Sequence, residues 1–213
     1  MKKETYSNEI RVRVKNARAG TLFVMPDFAG IAPNNAANRV VLRLVQEGAL
    51  RQIVRGVYQK PKINEFLGEV EEPSAESVAG AIARKNGWRI SPDGDTALNL
   101  LGLSTQVPSH WVYLSDGPYK RYSYGGGVIE LKHSANRLLG RLSPDAALLV
   151  QAFRALGVEG LTDEIEKILK ARFSAGVLER IAKETIIAPS WIHEAIVNLK
   201  GECHARSCKS RSR

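Results

Sequence analysis

An α+β fold in two parts is predicted by three features of this sequence. Short β-rich runs alternate with amphipathic ones between Leu22 and Lys132, the pattern from Ser143 onward is helical, and the positive charge is concentrated at the front. The 213 residues carry a formal charge of +9; residues 1–60 hold eleven Lys or Arg against four Asp or Glu, residues 199–213 hold five against one, and the 138 between them sum to −2. A basic module joined to a nearly neutral one predicts that the first alone meets a polyanion. No apolar run reaches membrane-spanning length, and the start Met1-Lys2-Lys3-Glu4 leads into polar residues instead of a signal-peptide core. A soluble, cytoplasmic protein with no membrane partner is expected. Cys203 and Cys208, both near the end, can form no disulfide framework for the fold.

Taken in order, Ser7 to Ala17 predicts a helix capped by Ser7, with Ile10, Val14 and Ala17 inward. Gly20 breaks it, Thr21 to Val24 follows as a strand, and Pro26 to Gly30 as a short helix anchored by Phe28. Pro33 forces Ala32 out of the α region, so the next helix starts beyond it, with Asn34 or Asn35 as cap and Gly48 as its end. Ala37, Val41, Leu44 and Val45 lie on one side of this helix; Asn35, Asn38, Arg39, Arg43 and Gln46 lie on another. Asn and Gln pair bidentately with adenine and Arg with guanine, so this second face has the chemistry of base-edge reading. Leu50 to Pro61 then reads as a hairpin turning at Arg55-Gly56. Helix, strand, helix, turn, helix, hairpin is the order of a winged helix-turn-helix. That order places Arg51, Arg55 and Lys60 on or beside the wing, within reach of phosphates. Tyr58 either donates to a phosphate or packs the hairpin onto the helices.

Residues 62–77 are acidic, with Glu65, Glu69, Glu71, Glu72 and Glu76, and read as a linker. Residues 78–142 predict a mixed α+β domain: a helix from Ser77 closed by Gly87, a strand at Trp88 to Ile90, a turn over Ser91 to Asp95, a helix from Thr96 to Leu101, and strands at 111–114, 120–124 and 128–132. Residues 143–199 predict a helical extension, with helices at 145–156, 161–170, 175–183 and 189–199. Residues 200–213 form a basic tail of disordered composition.

Catalytic signals are thin. Pro92-Asp93 with Glu130-Leu131-Lys132 has the form of a metal-dependent nuclease core, two carboxylates for Mg²⁺ and a Lys for the water, and stands as an alternative reading. Gly125-Gly126-Gly127 lacks the Lys-Ser/Thr of a phosphate loop and reads as a hairpin tip. Cys203, His204 and Cys208 sit in a Ser/Arg-rich tail without zinc-site spacing. His110, His133 and His193 receive no role. Tyr119, Tyr122 and Tyr124, interleaved with Lys120 and Arg121, suit either a second binding surface or a half-buried strand.

The runs Leu44 to Tyr58, Ala81 to Ile90 and Ala97 to Pro108 resemble those of the AbiEi-like antitoxins, the antitoxin halves of type IV toxin–antitoxin and abortive-infection systems of phage defence. The resemblance covers roughly residues 5–135. It implies a bacterial regulator whose N-terminal winged helix represses its own operon, and a C-terminal domain that counters a nucleotidyltransferase-like toxin without forming a stable complex. It carries DNA contact onto Asn34, Asn35, Asn38, Arg39, Arg43, Arg51 and Arg55, and supplies no catalytic motif and no cofactor. The expected partner is therefore double-stranded DNA, an operator with an inverted repeat; a protein-docking winged helix is the first alternative and the metal-dependent nuclease the second.

Overall fold

The computed structural model describes residues 2–106, 108–134 and 140–201. Among these the protein is a mixed α+β structure with eight α-helices and two sheets, one of three strands and one of four. Contacts divide it into two units, Met1–Trp88 with Lys120–Glu130, and Arg89–Tyr119 with Leu131–Arg213.

In the first unit α1 (Lys2–Asn16) runs further toward the N-terminus than expected, because nothing between Lys2 and Tyr6 breaks a helix. Ser7 is therefore an interior residue and not the cap. Ile10 and Val14 are buried as the spacing required. Strand β1 (Leu22–Val24) leads into a 3₁₀ turn, Met25–Phe28, whose Phe28 stacks on Phe23 at 5.7 Å between ring centroids. Helix α2 (Asn34–Gln46) packs on α1, and Gly48 follows it with φ +74°. Its N-cap is Pro33 with no side-chain cap, so Asn34 and Asn35, expected as caps, are helical residues with exposed amides. Strands β2 (Arg51–Val54) and β3 (Val57–Gln59) complete an antiparallel sheet of order β1-β3-β2, with Phe23 opposite Tyr58. The two-residue turn between β2 and β3 needs Gly56, which has φ +78°.

Of residues 62–77, expected as an acidic linker, 62–73 fold back on themselves and on β2, and the next helix begins at Ala75. Ile63 pairs with Val70, Lys62 bridges to Glu71 at 2.6 Å, and Arg51 of β2 reaches both Glu71 and Glu72. Helix α3 (Ala75–Asn86), capped by Ser74, packs on β1 and β3, and its Arg84 donates to Leu22 O while facing Asp27 at 3.7 Å. The contact division thus falls after Trp88 and not, as expected, between residues 61 and 78. Local apolar spacing locates α3, whereas its allegiance is decided by a tertiary surface.

The second unit begins with β4 (Ile90–Pro92), so Ser91 and Pro92, expected in a turn, are strand residues; Asp93 caps α4 (Gly94–Leu101). Strand β4 pairs antiparallel with β5 (His110–Ser115). The hairpin strands β6 (Lys120–Tyr124) and β7 (Gly127–His133) complete a sheet of order β4-β5-β7-β6, and the unit boundary passes through β7. Helices α5 (Pro144–Leu156), α6 (Asp163–Arg172), α7 (Ala175–Glu184) and α8 (Ser190–Gly201) match the expected spans closely. They are no separate extension. Ala97 and Leu101 of α4 share one core with Leu149, Phe153, Leu169, Ile181 and Ile192. Among the described residues no helix is long and apolar enough to cross a membrane.

Candidate nucleic-acid interface

Helix α2 buries an apolar stripe and exposes a mainly polar face. Ala37, Val41 and Leu44 are at most 2% exposed and Val40 7%, forming a stripe that packs against α1 and the Phe28 turn. On the opposite side Asn35, Asn38, Arg39, Arg43 and Gln46 are exposed, and Asn34, in the first turn at the edge of the buried stripe, is exposed as well. At 100° per residue Asn38, Leu42, Asn35, Gln46 and Arg39 fall in one band, with Arg43 at its margin. Leu42, 45% exposed at the centre of this band, belongs to the face although it is apolar. Sequence reasoning passed over it, and the signal was there: it falls one turn after Asn38 and one before Gln46. Among the described residues neither Arg39 nor Arg43 forms an ion pair, so both guanidiniums stand in water.

The four positions expected along the hairpin fare differently. Arg51 is consumed internally: Nε donates to Gln59 Oε1 at 2.7 Å, Nη1 to Glu72 Oε1 at 2.8 Å, and Nη2 to Glu71 O at 2.9 Å. Lys60 is also committed, donating from Nζ to the carbonyls of Lys15 at 2.6 Å and Ala17 at 2.8 Å, at the C-terminal end of α1 where a cation suits the helix dipole. Tyr58 is 5% exposed and follows the packing alternative; burial raises its phenol above the ordinary tyrosine value. Arg55 alone keeps the expected place, exposed at the β2–β3 turn.

Arg55 has company that its sequence neighbourhood does not show. Lys85 of α3 donates from Nζ to Arg55 O at 2.6 Å. Burial first, then repulsion from Lys120 and Arg55, lowers the Lys85 ammonium below the usual lysine value. Lys120, at the start of β6, lies 5.4 Å from the centroid of the Trp88 ring. Three cations from three separate parts of the chain thus gather at the hairpin turn. Such a cluster repels itself unless an anion joins it. Lys85 was missed, and Lys120 was read only as part of a separate aromatic hairpin, because residues 30 and 65 positions beyond Arg55 cannot be grouped with it by periodicity.

The aromatic hairpin resolves toward the half-buried reading. Burial raises the phenols of Tyr122 and Tyr124; a hydrogen bond with Asn86 partly offsets the first, and Glu72 reinforces the second. Tyr119 remains 55% exposed.

The nuclease-like residues are engaged with different partners. Asp93 accepts from Gly94 N at 3.0 Å as the α4 cap and faces Lys132 Nζ at 3.8 Å, whereas Glu130 faces Arg121 Nε at 3.4 Å. Asp93 and Lys132, with Asp95, Asn99 and His110, line a cleft of about 560 Å³ in the second unit; Glu130 is not among its lining residues. Among the described residues no group of three or more His, Cys, Asp or Glu is arranged for a metal ion. Cys203, His204 and Cys208 lie outside the described residues.

Residues 9–190 match the profile of a family of unknown function, DUF6088. No curated protein and no solved structure matches the chain.

Proposed function

The chain belongs to that family, DUF6088, and we propose that this member is a double-stranded-DNA-binding regulator that reads a major groove with α2. One observation supports the reading: the exposed face of α2 carries amides, Leu42 and guanidiniums that form no ion pair among the described residues, opposite a buried apolar stripe, with a cationic hairpin turn in the same unit. The element order from α1 to β3, and a sheet ordered β1-β3-β2, support a winged helix-turn-helix in which the 3₁₀ turn Met25–Phe28 stands for the middle helix.

In this reading Asn35, Asn38 and Gln46 address adenine, Arg39 and Arg43 address guanine, and Leu42 meets a thymine methyl. Asn34, at the helix start, and the Arg55, Lys85 and Lys120 cluster hold phosphates and set register. Arg51 and Lys60 hold the protein together instead. The resemblance to AbiEi-like antitoxins supports a narrower version, in which the operator lies upstream of the protein's own gene and the rest of the chain opposes a nucleotidyltransferase-like toxin.

A gel-shift titration with the DNA upstream of the gene, against a random duplex of equal length, tests the proposal. Specific binding is expected to be about a thousandfold tighter or more at physiological salt. Equal affinity for both duplexes removes the base-reading role, and no shift with either removes DNA binding altogether.

A further inference from the structure

The acidic segment after β3 is a built loop with an unusual tip. Its base is closed by the Ile63–Val70 bridge and the Lys62–Glu71 ion pair. Its turn is held by Asn64 Oδ1, which accepts from Phe66 N at 2.9 Å and Leu67 N at 3.2 Å, and by Gly68 N donating to Asn64 O at 2.8 Å. This ordered turn holds Phe66 99% exposed and Leu67 71% exposed. Burying such side chains is strongly favourable, so a fixed turn that displays two of them side by side has the form of an interface anchor. Glu65 and Glu69 flank the pair, and among the described residues neither forms an ion pair.

The same unit carries a groove of the opposite character. Val14, Leu44, Ala49 and Pro61 line a cavity of about 530 Å³, and Arg11, Lys15 and Lys60 stand at its walls. Glu47 neutralises Arg11 through contacts of 2.6 and 2.7 Å, while Lys60 donates only to neutral carbonyls, so the rim stays net positive. The groove is open to solvent and its exposed lining is mainly apolar.

We propose that the Phe66-Leu67 tip of one copy of this chain occupies the Val14/Leu44/Ala49 groove of a second copy, in a reciprocal two-fold dimer. Charge selects this occupant: an apolar tip bracketed by carboxylates meets an apolar groove bracketed by ammonium groups. Duplex DNA is a poor match, because Glu65 and Glu69 would approach phosphates. Adjacency argues for reciprocity. Pro61 lines the groove and Ile63 begins the tip, so a two-fold axis beside Lys62 brings each tip to the other copy's groove, and every contact forms twice. The inference is independent of the DNA reading.

Sedimentation equilibrium of the full chain at tens of micromolar, with circular dichroism as a folding control, provides the test. The unaltered protein is expected to have the mass of a dimer, and Phe66→Asp to raise the dissociation constant by roughly thirtyfold or more, the effect of losing an interface anchor. Glu69→Lys and Lys15→Glu are each expected to weaken the dimer, and the two together in one chain to restore it, which a folding defect would not do. A monomer at every concentration overturns the proposal and leaves the tip to a different protein. A dimer indifferent to Phe66→Asp overturns it as well.

Discussion

Arg43 and Arg51 are eight residues apart and identical in chemistry, yet the protein uses them in opposite ways. Arg43 stands in solvent on α2 with no ion-pair partner among the described residues; Arg51 spends its guanidinium on Gln59, Glu71 and Glu72. The same contrast separates Arg55, exposed at its turn, from Lys60, which caps α1. A basic stretch is thus two populations, one exposed to solvent and one already neutralised or hydrogen-bonded within. Only the first supplies counterion release on binding a polyanion.

The largest effect that would break this division is on stability. Arg51→Ala removes three charge-assisted hydrogen bonds and leaves the buried Gln59 amide short of a donor, so it is expected to lower unfolding free energy by about 3 kcal/mol in denaturant titration. Arg43→Ala is expected to change stability by less than about 0.5 kcal/mol, as exposed sites do. An equal loss from both variants would erase the distinction.

Next in size is binding. Arg39→Ala or Arg43→Ala is expected to cost about 2 kcal/mol toward the specific duplex and to relax preference at one base pair. Arg55→Ala should weaken all sequences alike and flatten the salt slope by about one unit. Loss of specificity from the Arg55 variant would move base reading from the helix to the hairpin.

A smaller effect sharpens the role of Lys60. Lys60→Met retains the aliphatic stem but removes the cation from the α1 carbonyls, with an expected loss of about 1 kcal/mol in thermal or chemical unfolding.

The smallest is a pH effect at the α1–α2 contact. Hydrogen bonding from Arg11, aided by the charges of Arg11 and Arg43, holds the exposed Glu47 carboxyl below its ordinary value of 4.5. Because the folded value is the lower one, the contribution is complete above about 4.5 and is lost as pH falls through the folded value. Glu47→Gln is therefore expected to give a shallower decline of stability with acid. An unchanged acid limb would show that this surface pair does nothing measurable.

Elements were legible wherever the chain punctuates itself. Pro33 and Gly48 bracket α2, Gly87 closes α3 and Gly56 marks the hairpin turn, each through its own backbone preference, which needs no distant residue; the start of α3, expected at Ser77, lies earlier, at Ala75 behind the Ser74 cap. The apolar repeat of α2 likewise determined which side would be buried, and so exposed its amides and guanidiniums by default. Availability of the hairpin cations was another matter. Arg51 and Arg55 are indistinguishable in the string, and what separates them is Glu72, 21 positions on, together with Lys85, 30 positions on. The grouping of α3 with the first unit, the ordered turn beneath Phe66, and the cation cluster of Arg55, Lys85 and Lys120 belong to the same class. Backbone preferences and periodicity are local and can be read residue by residue, whereas electrostatic partnership depends on distances of a few ångströms that only folding creates between segments far apart in the chain.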